Sequence, residues 1–401
     1  MADRRTFRAL FLSGWLWHTT RWGGLFLGSY VVSELTDRPV LNQLVGACVF
    51  APMLLGGLGA GILSDRFDRR RLLIAGQLVL LPLGVALAVV AQSGGLQVWM
   101  MFPFTLAVGL GGVLNMTALR PLMYDAAGPA RAARALTLDS VGVASSSVAG
   151  ALMGGAIVDA VGLGAAFAAL TLLMLGSTLI LARLRPVPAV PSAPQQHEDV
   201  RFEAYLRGCL QLLRQSPRLV GLLGITVVVN LFYFSFLPLI PVVAKELSAS
   251  ALLAGVMGSA AGCGQLAGGL VLASRPSRRH GQVFVGGSGI ALVGLCLFAL
   301  APAVGAACLA LLLAGTGSAG FAAMQSLLAI ESAPEAERGA ALGLLSTAIG
   351  ALPVGMVLLG VVSQLVGPRT TLLASACAGL CALAGCARLP SAAALLQPAE
   401  R

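Results

Sequence analysis

The chain has 401 residues, 57% of them apolar and only 10% charged, with 26 Lys and Arg against 16 Asp and Glu for a formal net charge of +10. Soluble globular chains carry about 25% charged residues, which speaks against a water-soluble enzyme built round one core. The high apolar share excludes a disordered chain despite 50 Gly and 20 Pro. The apolar residues run in long blocks, and a helix crossing hydrocarbon needs about 20 of them, so the composition describes a polytopic membrane protein.

In chain order, the first six spans are expected at 10–33, 42–63, 72–92, 98–119, 136–158 and 164–183. The basic start, MADRRTFRAL, leads into an apolar run too long for a signal peptide and lacking a small-residue cleavage site, so it reads as an uncleaved first span. A polar interval follows. Its proline-rich part, 183–194, is expected to be extended. In 198–217, Phe202, Tyr205, Leu206, Cys209, Leu210 and Leu213 recur at helical spacing among Arg201, Arg207 and Arg214. This is a basic amphipathic helix expected to lie on the membrane surface. Six more spans are expected at 218–243, 251–273, 282–301, 306–330, 340–362 and 370–388. The expected organisation is a six-helix bundle over 1–183, a linker over 184–217 and a second six-helix bundle over 218–401.

With the N-terminus in the cytoplasm, 22 of the 26 basic residues fall on the cytoplasmic side. Arg38, Lys245 and Arg369 fall outside, and Arg21 lies within the first span. That asymmetry is what membrane insertion favours, so the positive surplus is a topology signal and not a nucleic-acid footprint. Both termini are expected to be cytoplasmic. Seven of the eight cysteines lie in expected spans, where Cys is a small apolar packing residue. Cys377 and Cys381 share a helical face without a His or carboxylate beside them, so no metal is expected, and no cofactor is implied.

The halves echo each other. Adding 209 places Arg66, Arg69 and Arg70 on Arg275, Arg278 and Arg279, and Asp125 with Pro129 is echoed by Glu331 with Pro334. A duplicated six-span unit is the basis of transporters that rock two bundles about a midplane site. The loop Gly61, Asp65, Arg66, Arg69, Arg70, Arg71 resembles the signature of the major facilitator superfamily, Gly-x-x-x-Asp-Arg-x-Gly-Arg-Arg-Arg, departing from it at Asp68. The form around Asp65–Arg70, the stretch 334–341 and the linker running into Ser216 and Pro217 resemble the branch related to the enterobactin exporter. The resemblance implies an all-α membrane protein of twelve transmembrane helices in two pseudo-symmetric six-helix bundles. It implies that Asp65 and Arg69 latch the outward-facing state, with Gly61, Arg66 and the carboxylate of Asp125 in the same device. The plainer reading is that these arginines set topology and bind anionic lipid. Gly150, Gly154 and Gly155 in the fifth span resemble the exporters' antiporter motif with Ala151 in place of its proline, or are ordinary small-residue packing.

Ionisable residues inside spans are functional candidates by default. Arg21 lies near the midplane, flanked by His18, Thr19 and Trp22, and its counterpart by the repeat is Asn230. Together with Tyr233, Asn115, Gln265 and Gln325 these make a polar cavity lining. Arg21 pairs with backbone carbonyls, with Asp139 reached by snorkelling, or with an anionic group on a substrate. Asp139, and after it Glu34 and His18, are the candidates for carrying a coupling proton. The expected function is export of small organic molecules, drug- or siderophore-like, by proton antiport across a bacterial inner membrane, as a monomer contacting lipid and no nucleic acid. The alternatives are uptake or exchange of an anionic metabolite, lysolipid flipping, and a non-transporting sensor or scaffold. No enzymatic constellation lies outside the spans, and the absence of a GxxxxGK[ST] loop argues against a nucleotide-driven pump.

Overall fold

The computed structural model describes residues 4–128, 131–184, 202–274, 279–334 and 337–396, and within them all side chains except those at 4, 55–66, 132–134, 136–137, 202–206 and 392–394. The long helices are α1 (Arg4–Leu35), α2 (Pro39–Arg66), α3 (Arg69–Gln92), α4 (Val98–Ala127), α5 (Ala132–Val161) and α6 (Leu163–Arg183) in the first half. After α7 (Phe202–Gln215) come α8 (Pro217–Glu246), α9 (Ala251–Ser274), α10 (His280–Leu300), α11 (Val304–Glu331), α12 (Arg338–Val366) and α13 (Pro368–Arg388), then the short α14 (Pro390–Leu396). Ten of these, α3 to α6 and α8 to α13, are long and apolar enough to cross a membrane. α1, whose apolar run is diluted by His18, Thr19, Thr20 and Arg21, and α2 complete the twelve expected spans.

Helix is the form such runs must take in lipid, where no water is available to pair exposed N–H and C=O groups. The apolar faces point outward as well as inward. In α3 only 28% of the most apolar 18-residue window is buried, and Leu365 is 78% exposed. In water such a surface would associate; in a bilayer it is the solvated face. This is a multi-pass membrane protein.

In the first half α1 packs on α5 and α6, α2 on α4, and α3 on α6; in the second, α11 packs on α9 and α10, and α13 on α8 and α10. Two contacts of the same kind join the halves: α5 with α9, and α12 with α2. Small residues set both. A Cβ on Gly255 of α9 would lie 2.6 Å from the Ala151 carbonyl oxygen and 3.1 Å from Gly155 Cα. One on Gly360 of α12 would lie 2.9 Å from Gln43 Cβ and 3.1 Å from Val40 Cα. Within each half the pattern repeats. A Cβ on Gly150 would lie 2.6 Å from the Gly23 nitrogen, and one on Gly355 would lie 2.7 Å from the Leu231 carbonyl oxygen. Gly150 and Gly355 are 205 residues apart, as are Gly155 and Gly360. The connections α5–α6 and α12–α13 each turn on one glycine at the same offset, Gly162 at φ +104° and Gly367 at φ +87°. Nothing lies within 4 Å of the Cβ position at either, so the left-handed backbone, and not lack of space, calls for glycine there.

Three elements differ from expectation. α4 does not stop at 119: the chain passes through a π-type turn at Asn115–Leu119 and continues as helix from Arg120 to Ala127. Pro121, which the interior of a regular helix would reject, stands in the first turn of that renewed helix. The amphipathic helix α7 does more than lie on a surface, since it contacts α8 and the start of α12, with Cys209 and Leu212 buried. The unforeseen α14 folds back against α8, and Leu395 is fully buried there.

Among the described residues, the two ends of the molecule are tied differently. At the end away from the termini, polar contacts cross between halves: Lys245 Nζ to Asp37 at 2.9 Å and to the Ser33 carbonyl at 2.7 Å, and Gln43 Nε2 to the Ser235 carbonyl at 2.9 Å. Ser250 also donates to Asp159 at 3.3 Å. At the terminus-bearing end, Arg69–Asp125 (3.4 Å) lies within the first half, and Arg218–Glu331 (3.2 Å) and His280–Glu331 (2.8 Å) lie within the second.

Candidate functional site

The site is built outward from one face of α1. His18, Arg21, Trp22, Leu25 and Ser29 recur at intervals of three and four, so they form a single stripe. Thr19 and Thr20 return their hydroxyls to the carbonyls of Trp15 (2.8 Å) and Leu16 (3.0 Å), which satisfies them inside the helix. The stripe itself is not satisfied. His18 Nδ1, Arg21 Nε, Trp22 Nε1 and Ser29 Oγ are buried without a hydrogen-bond partner. Arg21 is 8% exposed. Its Nη2 points at the Met53 sulfur at 3.8 Å, and its guanidinium carbon lies 5.3 Å from the Phe50 ring centre and 5.7 Å from that of Trp22. Two such rings offer about 0.5–2 kcal/mol each, while a buried cation forfeits several kcal/mol of hydration. Its described contacts therefore leave Arg21 under-compensated. Opposite it stands Gly112 of α4, where a Cβ would lie 3.4 Å from the guanidinium carbon.

Asp139 does not reach Arg21. It pairs with Arg120 Nε at 2.9 Å, with side-chain exposures of 11% and 36%. α5 begins earlier than expected, so Asp139 lies seven residues into the helix, and the continued α4 carries Arg120 opposite it. The Arg120–Asp139 pair was not expected: its signal was a second arginine beside an apolar span, but its partner is set by how α4 and α5 pack. Asn115 sits in the π-type turn itself and is buried. Glu34, the other acidic candidate, is exposed near the end of α1 away from the termini.

The second half contributes neutral polar groups. Asn230 donates to the Thr226 carbonyl at 2.9 Å, and Gln325 Nε2 approaches Thr226 Oγ1 at 3.4 Å, so both are held in one buried cluster. Tyr233 is buried beside Phe234 and Phe236. Between the halves lies a cavity of about 210 Å³, lined from α1 by Trp22, Leu25, Phe26 and Ser29, and from α5 by Val143, Ser147 and Ala151. From the second half it is lined by Tyr233, Phe234, Phe236, Leu237, Ile240 and Pro241 of α8, by Gly258, Ala261, Gly262 and Gln265 of α9, and by Ser318 of α11. Of the expected lining, Trp22, Tyr233 and Gln265 meet here. Arg21 and His18 stand beside Trp22 on α1, while Asn115, Asn230 and Gln325 line other parts of the interior.

The sequence matches the family described as the Major Facilitator Superfamily over residues 10–353 and again over residues 222–399. The chain belongs to the major facilitator superfamily. No curated protein matches the sequence. Among solved structures, a bacterial homologue of the human lysosomal transporter Spinster, inward-facing and unoccupied, is similar with TM-score 0.77 at 14% identity, over 99% of this chain and 98% of that one. A D-xylose–proton symporter is similar with TM-score 0.71 at 16% identity, over 96% and 98% of the two chains. The E. coli fucose–proton symporter is similar with TM-score 0.62 at 14% identity, over 99% and 100%. At such identities the likeness is one of fold.

Within this family frame, the side chains of the loop positions Gly61, Asp65 and Arg66, and the positions Arg275 and Arg278, lie outside the described residues. The rest of the loop is visible. Arg69 meets Asp125. Asp68, the departure from the signature, accepts the Arg71 backbone N–H at 2.8 Å and caps the N-terminus of α3. Arg70 donates to the carbonyls of Leu181 (2.6 Å) and Ala182 (2.5 Å), closing the C-terminus of α6 where cations are favoured. Gly150, Gly154 and Gly155 are packing positions: Gly150 admits α1, Gly154 faces Phe26, and Gly155 admits α9 of the other half. Gly355 and Gly360 repeat two of them in α12, so this part of the pattern is not peculiar to the fifth span.

Proposed function

We propose that this protein is a secondary active transporter that exports small organic molecules across a bacterial inner membrane by alternating access in exchange for protons. Family members are transporters that bind small molecules and often protons. The observation that carries the reading is the cavity near mid-helix depth lined by both halves, with the two glycine-mediated contacts, α5–α9 and α2–α12, on which the halves can rock. In this reading residues 1–183 and 218–401 are the moving bundles, 184–217 is the tether, and both termini are cytoplasmic. The cross-half contacts of Lys245, Gln43 and Ser250 then seal the outer side, which makes this conformation inward-facing. Asp65, Arg66, Arg69 and Asp125 form the cytoplasmic latch of the opposite state. Asp139, released from Arg120, is the proton carrier, and Glu34 a weaker candidate for it.

The test is transport in proteoliposomes with and without a pH gradient, across candidate drugs, siderophores and organic anions. A flux that follows the proton gradient for at least one compound is expected. If no transported compound responds to the gradient, proton coupling must be abandoned. Asp65→Asn should impair turnover with insertion intact, and normal transport by this variant would remove the latch.

A further inference from the structure

We propose that Arg21, with His18 and Trp22, is the charge-binding end of the substrate site, and that the ligand is an organic anion whose apolar or aromatic body fills the adjoining cavity. The inference rests on the transporter reading and deepens it.

Three buried polar atoms on one stripe of α1 lack partners: Arg21 Nε and Trp22 Nε1, which can only donate, and His18 Nδ1, which donates when that nitrogen carries the ring proton. His18 and Arg21 are only 6% and 8% exposed. Buried polar groups are almost always satisfied, and an orphaned one calls for a reason. Three orphans within one helical turn, one of them a permanent cation, share a single remedy: an acceptor that arrives with a negative charge. The Arg21 guanidinium presents a planar fork suited to a carboxylate or sulfonate. Its surroundings supply none. Its described contacts are a thioether, two aromatic rings and the backbone face of Gly112. Arg120 adds further positive charge nearby, and the Asp139 carboxylate is already engaged by Arg120.

Trp22 connects this charged end to the cavity. It belongs both to the orphaned stripe and to the cavity wall, where Phe26, Tyr233 and Phe234 offer apolar surface. Opposite charge at one end and aromatic walls at the other define an amphiphilic monoanion. A cation would be repelled at the charged end, and a neutral compound could accept hydrogen bonds there but would leave the Arg21 charge uncompensated.

The full-length chain in nanodiscs, titrated calorimetrically with benzoate, benzenesulfonate and octanoate and with the neutral benzamide and octanamide, tests this. At least one anion should bind, and its neutral analogue should bind at least about tenfold more weakly. Arg21→Met should weaken the anion about 100-fold, the size expected when one partner of a buried charge pair is removed. Arg21→Lys should retain part of the affinity, because it keeps the charge and loses the fork. A second readout separates ligand binding from a structural role. With no ligand present, Arg21→Met should raise the melting temperature, since it removes an uncompensated buried charge, whereas a structurally paired arginine would lower it. Equal binding of anion and amide, unchanged anion binding in Arg21→Met, a lowered melting temperature in that variant, or no binding by any of the anions would each overturn the proposal. Failure of the transporter reading looks different. It would appear as no flux of any compound in wild-type proteoliposomes, whereas failure of the anion site leaves flux intact and indifferent to Arg21.

Discussion

The first half buries Arg21, His18 and Asp139, the last paired with the part-exposed Arg120. The second half, on the same pattern of helix packing, buries Asn230, Thr226, Gln325, Tyr233 and Ser318, all neutral at pH 7. Where the repeat puts Arg21 in α1 it puts Asn230 in α8, whose side-chain amide bonds its own helix. Geometry is duplicated and chemistry is not. The glycine pairs Gly150/Gly355 and Gly155/Gly360 show the shared frame, and their substitution should therefore cost alike in both halves. Among the described residues, Arg21 and the Arg120–Asp139 pair have no counterpart in the interior of the second half, whose ion pairs Arg218–Glu331 and His280–Glu331 lie at the terminus-bearing end, so changes at Arg21, Arg120 and Asp139 should have no equivalent there.

The largest effect is expected at Asp139. Replacing it with Leu strands Arg120, and removing one member of a buried ion pair costs about 3–5 kcal/mol. The loss should fall at the low end of that range because the Arg120 side chain retains 36% exposure. Adding Arg120→Met to Asp139→Leu should recover most of it, as seen by thermal unfolding in detergent. If the double variant melts no higher than the single one, the pair is not the source of the loss.

Next come the glycines. Gly150→Val and Gly355→Val should each cost about 1–3 kcal/mol, because the added carbons meet backbone atoms that cannot move aside. Gly269→Ala, with nothing within 4 Å of its Cβ, should leave the melting temperature unchanged. A large cost in one half and none in the other would break the symmetry of the frame.

The smallest expected effect is at Asp68. Asp68→Ala should cost about 1 kcal/mol as the cap of α3 is lost, while Asp68→Gly, the residue of the family signature, should cost only a few tenths. The matching helix α10 opens on Arg279, which has no acceptor to offer, so this difference too belongs to the first half. Equal losses for the two variants would mean that Asp68 acts through something other than the cap.

The spans were legible because about 20 apolar residues in a row have one stable form in lipid, and, apart from the start of α1 and the end of α4, their described boundaries fall within a few residues of those expected. Arg21 was legible for the same reason: a charge in such a run needs explaining. The Arg120–Asp139 pair was not. The expected fourth span ends before Arg120-Pro121, where a π-type turn in fact carries the helix on, and the pairing depends on how α4 lies against α5. Asp68 read as a lapse from a signature until its bond to Arg71 showed a cap. Tail helix α14 was missed because seven residues carry little periodicity; its burial comes from α8.

Rocking of the two halves is tested most directly by spin-label distances in a cysteine-free background, with one pair at Arg38 and Ala303 on the end away from the termini and another at Phe67 and Ser274 on the terminus-bearing end. Between acid and alkaline pH, or on adding a transported compound, the two distances should change in opposite senses, one end opening as the other closes. Two distances that stay fixed under every condition, or that lengthen and shorten together, would contradict alternating access.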